Sequence, residues 1–253
     1  MLRVEMRNAM LRPSRPRSST LAPLVGVSLG VALMIASPTL ASARPAASVT
    51  VDKMQALYNK NRDFKGKFKQ VFTDSLYNRK RTSYGYLWVK KHGRMRWDYS
   101  YPERKSFISD GKILWVYEPE DKQAFKNPLS TKTLSTGLTF LLGSGSLKAE
   151  FTFAYVKDKK LLLGGPNHLV LKLTPKKPTS QYKFLVLAVR PTDFAVEESM
   201  VVSRNNSNHF VFTNLKFDTG VQRWRFTFKP PAHIRVIDGA KMRTRRPRRP
   251  KTP

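Results

Sequence analysis

From residue 64 to residue 228 the chain alternates apolar and polar side chains with a period of two, and that rhythm is what limits its possible folds. In Phe64-Lys65-Gly66-Lys67-Phe68-Lys69-Gln70-Val71-Phe72 the three phenylalanines fall on one face with Gly66 and Gln70, and the three lysines fall on the other. A strand with one buried and one wet face is the reading. Similar segments are predicted at 84–90, 95–99, 106–109, 113–117, 150–156, 168–174, 182–190, 195–203, 209–217 and 224–228. Turn signals such as Lys91-His92-Gly93, Asp110-Gly111 and Asn205-Asn206-Ser207-Asn208 separate them. Many short strands joined by tight turns predict a meandering antiparallel sheet that curls over its own apolar face.

Two segments leave this rhythm. Residues 51–61, after Thr50 as an N-cap, place Met54, Leu57 and Tyr58 on one helical stripe. Residues 134–142 bring Leu134, Leu138, Leu141 and Leu142 together if helical, with Gly143 as the stop. Short helices are stable mainly through the surface they cover, so both are expected across the concave face of the sheet.

The ends of the chain read differently from its middle. Arginines at 3, 7, 12, 15 and 17, an apolar run from Leu24 to Ala36 and Ala41-Ser42-Ala43 form a secretory signal peptide over residues 1–43, with cleavage after Ala43 expected. An uncleaved anchor is the alternative. Residues 44–240 form the folded domain, and 241–253 (KMRTRRPRRPKTP) read as a disordered basic tail. The net charge of +30 divides into +4, +19 and +7 over these three parts. The domain therefore favours anionic partners, which says nothing about its fold.

Composition excludes much chemistry. With no cysteine there is no disulfide, thiolate-bound metal or catalytic thiol. His92, His168, His209 and His233 lack the spacing of metal ligands, so no metal is expected. Gly143-Ser144-Gly145-Ser146 continues neither a nucleophile elbow nor a phosphate loop, and no catalytic constellation or cofactor motif is visible.

The series Phe68-Lys69-Gln70, Gly85 to Lys90, Arg96-Trp97-Asp98-Tyr99, Asp110-Gly111-Lys112, Leu114 to Pro119 with Gln123, and Phe226 to Pro231 resembles the LolA family of periplasmic outer-membrane lipoprotein carriers. The resemblance runs from about Val51 to Asp238. It implies a mainly β (α+β) fold, an unclosed antiparallel β-barrel with a helical lid over an apolar concave face. It implies a monomeric carrier of lipidated lipoproteins that takes cargo from an inner-membrane ATP-driven release complex and passes it to an outer-membrane lipoprotein receptor. Such a receptor needs a lipidated cysteine, so this chain resembles the soluble carrier.

Under this resemblance the expected cavity walls are Phe68, Phe72, Trp88, Trp97, Trp115, Tyr117 and Phe212, and the expected lid residues are Leu138, Phe140, Leu141 and Leu142. Carriers of this family have Arg-Pro after the second of these strands, the arginine holding the lid. Here Lys91 and His92 stand there, so the latch falls to Lys91 or to a nearby cation such as Arg94. Two other readings remain open: a periplasmic lipid-sensing regulator of the same fold, and a basic module for anionic polymers. Nucleic acid is not expected, since no recognition motif accompanies the charge.

Overall fold

A computed structural model describes residues 44–129 and 145–239. Among them, twelve strands form one sheet: β1 (Asp63–Asp74), β2 (Arg79–Lys90), β3 (Arg94–Tyr101), β4 (Lys105–Asp110), β5 (Ile113–Glu118), β6 (Gln123–Pro128), β7 (Phe151–Tyr155), β8 (Leu169–Pro175), β9 (Phe184–Val189), β10 (Val196–Val202), β11 (Asn206–Phe217) and β12 (Arg235–Asp238). Their spatial order is β12-β6-β5-β4-β3-β2-β1-β11-β10-β9-β8-β7, so β12 and β7 are the edges and the sheet is unclosed. Two meanders run outward from a central antiparallel pair, β1 with β11, in which Phe64 faces Phe217 and Phe68 faces Phe212. The pairing is antiparallel except at one margin, where β12 runs parallel to β6.

The alternation sorts side chains as the sequence requires. On β1, Phe64 and Phe68 are buried while Lys65, Lys67 and Lys69 are exposed. One continuous core fills the concave face, with Phe68, Leu87, Trp97, Phe151, Leu171, Leu185 and Phe212 among its members. Helix α1 (Ala47–Lys60) lies on this face. Its Tyr58 ring meets Phe64 and Phe217 edge-on at 5.5 and 5.7 Å. One turn of helix, α2 (Leu147–Glu150), is capped by Ser146, whose hydroxyl accepts from the Ala149 amide. It docks on α1, where the Leu147 amide donates to the Gln55 side chain at 3.1 Å.

Three expectations change. The N-cap of α1 is Ala46, without a side-chain cap, and Thr50 sits inside the helix, buried, sharing a 2.7 Å hydrogen bond with the Tyr155 hydroxyl. Residues 224–228 are not a strand. Arg223–Phe226 form a 3₁₀ turn and Phe228 follows in irregular chain, because Phe226 and Phe228 bury against the outer side of the sheet without any ladder to join. Strands β6 and β12 carry no clear alternation and were not expected.

The outer face is covered in two places. The chain from Val156 to Gly164 lies over Val170, Val186 and Ala188 with Leu161 and Leu163. The segment after β11 crosses β3 to β6, and Asp63 ties it down. That carboxylate, 4% exposed, accepts from the Thr219 amide and hydroxyl at 2.8 and 3.1 Å and from the Val221 amide at 3.2 Å. Lys90 Nζ lies 3.4 Å from Oδ2, the oxygen that also accepts from Val221.

Candidate functional site

The centre of the concave face is a floor of aromatic rings contributed by β3, β1 and β11, with β2 running between β3 and β1. Phe68 packs on Trp97 at 5.0 Å and edge-on to Tyr99 at 4.9 Å. Phe210 and Phe212 lie parallel 6.1 Å apart, and Trp97 meets them at 5.5 and 6.0 Å. The floor is possible because β2 has no side chain beneath Phe68. A Cβ on Gly85 would stand 2.7 Å from the ring and 2.1 Å from the Asp98 carbonyl oxygen. The close approach coincides with a bulge: Tyr84 faces Tyr101 and Gly85 faces Tyr99, leaving Ser100 as the extra residue on β3.

Where the floor meets the hairpin end of β1 and β2, the face opens into a hollow of about 340 Å³ lined by Gln70, Phe72, Arg81, Tyr99, Phe107 and Asn208, with Glu103 and Lys105 also at its wall. That volume is in the range of small-molecule sites. Burial pushes the Tyr99 phenol well above its usual range, so it stays protonated and can only be a neutral neighbour to an occupant. Gln70 is fixed by a 2.6 Å bond from its Nε2 to Asn208 Oδ1. The hollow thus offers an apolar floor and a polar, charged mouth.

The structure brings together four of the seven expected wall residues. Phe68, Trp97 and Phe212 are buried in the floor and Phe72 lines the hollow. Trp88, Trp115 and Tyr117 lie on the other side of the sheet. On β2 the buried set is Leu87 and Val89, which puts Trp88 outside, stacked on Tyr86 at 6.1 Å. On β5, Leu114 joins the core, while Trp115 and Tyr117 pack on Phe228 at 5.4 and 5.0 Å. Tyr99, Phe107 and Phe210 were missed. Their partners across the sheet, Gly85, Trp97 and Gln70, already mark them as same-face residues once the register is known.

The model of the outer membrane lipoprotein carrier protein LolA matches residues 59–229. The chain belongs to the LolA family. Among its relatives, the outer-membrane lipoprotein carrier protein of Chromohalobacter salexigens is 24% identical over 83% of this chain and 95% of its own length. That of Coxiella burnetii is 26% identical over 87% of this chain and 99% of its own length. A LolA superfamily protein of Nitrosomonas europaea superposes with a TM-score of 0.41 at 12% identity, covering 73% of this chain and 99% of that one.

In this LolA-family chain the expected latch residues sit beside α1. Lys91 Nζ donates to the Asn59 carbonyl in the last turn of that helix, where a cation is favoured by the helix dipole. Arg94 Nη1 donates to the Lys91 carbonyl at 3.2 Å and so braces the turn between β2 and β3 that carries Lys91. The expected lid, Leu138, Phe140, Leu141 and Leu142, lies outside the described residues.

Proposed function

We propose that this protein is an exported, periplasmic carrier that shelters the acyl chains of lipoproteins on its concave face. In this reading residues 1–43 direct export, 44–240 form the carrier and 241–253 are a basic appendage. Cargo comes from an inner-membrane ATP-driven release complex and goes to an outer-membrane lipoprotein receptor. The observation that supports it most is a hollow lined by the rings of Phe72, Tyr99 and Phe107, beside the buried Phe68 and Trp97, on the open side of a LolA-family sheet. Moving acyl chain out of water is worth about 0.8 kcal/mol per CH₂, so one long chain supplies on the order of 10 kcal/mol. Release then requires something that refills the face, and Leu138, Phe140, Leu141 and Leu142 are the residues for that task. Lys91, with Arg94 bracing the turn that carries it, holds the end of α1, which flanks the same face.

The test is recovery of cargo. Mass spectrometry of the protein purified from the periplasm of an expressing cell should show bound lipoprotein, and Phe72→Arg, which places a charge in the hollow, should carry little or none. A fluorescent fatty-acyl probe should bind with little salt dependence and leave faster from Lys91→Ala. Equal cargo on the parent and Phe72→Arg would overturn the placement of the site, and absence of cargo and of probe binding would overturn the carrier reading.

A further inference from the structure

The face of the sheet turned away from the hollow carries an arrangement that acyl-chain carriage leaves unexplained. On β1, Lys65, Lys67 and Lys69 point outward, and across the register they face Trp88, Tyr86 and Tyr84 of β2. Lysines and rings thus form two parallel ladders. The rings continue sideways, with Tyr84 packing on Tyr101 at 6.2 Å and Arg225 lying between Trp88 and Trp224, 4.5 and 5.0 Å from their centroids. Tyr84, Tyr86, Tyr101 and Trp224 are 44, 43, 60 and 65% exposed. Nothing described covers them.

Among the described residues the β1 lysines of this face have no carboxylate partner, and the contact of Lys67 is with a ring, its Nζ 5.7 Å from the Tyr86 centroid. None of the ion pairs among the described residues uses Lys65, Lys67 or Lys69. The nearest acids are engaged elsewhere: Asp98 by Arg96 at 2.7 Å and Ser106 at 2.8 Å, Glu198 by His209 at 2.8 Å. Lys65 moreover faces Lys216 across the β1–β11 seam. One like-charge pair directly across the seam, with further lysines at every second residue along β1, is destabilising, and the cost is relieved when an anionic surface is laid against them.

We infer that this outer face is a docking surface for an anionic phospholipid bilayer. The recognising chemistry is the pairing itself. Tyr and Trp rings are amphipathic and settle at headgroup depth, while each lysine near an anionic leaflet contributes attraction that falls off within a Debye length. A ladder of rings beside a ladder of ammonium groups supplies both on one face. The domain's charge of +19 over residues 44–240 adds long-range attraction of the same sign. The inference goes beyond the carrier reading and does not depend on it, since the hollow opens on the other face.

Sedimentation of the full chain with phosphatidylcholine vesicles, with and without phosphatidylglycerol, tests this. Binding should require phosphatidylglycerol and weaken steeply with salt. Lys65→Gln/Lys67→Gln/Lys69→Gln should reduce vesicle affinity by about 100-fold at low salt. Tyr84→Ser/Tyr86→Ser, which keeps every charge, should lower it while leaving the salt dependence in place. Both variants should bind the acyl probe as the parent does, these residues being outside the hollow, and the triple variant should melt no lower than the parent, since it removes a like-charge pair. The basic tail is present throughout, so a difference between chains belongs to the sheet. Three results overturn the inference: equal binding to neutral and anionic vesicles, full binding by the triple variant, or binding to polyglutamate or an oligonucleotide without binding to vesicles. Loss of acyl-probe binding by the parent would defeat the carrier reading and leave this one standing.

Discussion

Replacing Gly85 by alanine should damage this protein more than any other single added methyl group on the floor. The new Cβ would lie 2.1 Å from the Asp98 carbonyl oxygen and 2.7 and 2.8 Å from two carbons of the Phe68 ring. The carbonyl belongs to the β2–β3 ladder and cannot retreat without breaking register, so the ring must also move. Overpacking of this kind costs about 1–3 kcal/mol. Phe68 also has ring partners at 5.0, 4.9 and 6.2 Å in Trp97, Tyr99 and Phe210, each pair worth roughly 0.5–1.5 kcal/mol, and some of that is lost when the ring shifts. A total near 3 kcal/mol, at about 2–4 °C per kcal/mol for a domain of this size, lowers the melting temperature by roughly 6–12 °C. Thermal denaturation followed by circular dichroism reads it. Gly165→Ala is the control, since its nearest neighbour would be His168 Nδ1 at 3.7 Å, an ordinary contact, and it should be neutral or slightly stabilising. If Gly85→Ala melts with the parent, the floor is not close-packed as described and the position of Phe68 is not dictated by the missing side chain.

Two further outcomes follow from buried and paired acids. Asp63→Ala removes the acceptor for Thr219 and Val221 and the partner of Lys90, and should cost about 3 kcal/mol in chemical denaturation; a change below about 1 kcal/mol would mean that the crossing segment is held by its apolar contacts. The hydrogen bond from His209, with its charge, outweighs the opposing effect of burial and holds the Glu198 carboxyl below its ordinary value of 4.5. A depressed acid adds stability that is present above the unfolded value and is lost as pH falls through the folded one. Denaturant midpoints should therefore drop on acidification below about pH 4.5, and Glu198→Gln should flatten that limb; an unchanged limb would assign acid sensitivity to other groups.

Period-two alternation made the sheet legible because each strand has one wet face, so that Lys65, Lys67 and Lys69 announce the side on which Phe64 and Phe68 are buried. The same alternation does not say which face is concave when both carry large rings. Trp88, Trp115 and Tyr117 alternate as regularly as Leu87 and Leu114, and only tertiary cover by Phe228 and Arg225 decides their side. Residues 224–228 show the converse. Trp-Arg-Phe-Thr-Phe has a strand's pattern, but a pattern supplies no neighbour to bond to, and the segment closes on itself in a 3₁₀ turn. The hollow was partly legible through Phe72, and the floor beside it through Phe68. Phe107 and Tyr99 reach it only through pairings that depend on the bulge opposite Gly85.

The central seam carries a cost in time. Each flanking meander is built from neighbours in sequence and can zip together hairpin by hairpin, whereas β1 must wait for β11, with Phe64 unmatched until Phe217 is available. During synthesis the first hairpin of the domain therefore stands with one bare backbone edge, a template for mispairing with any extended chain.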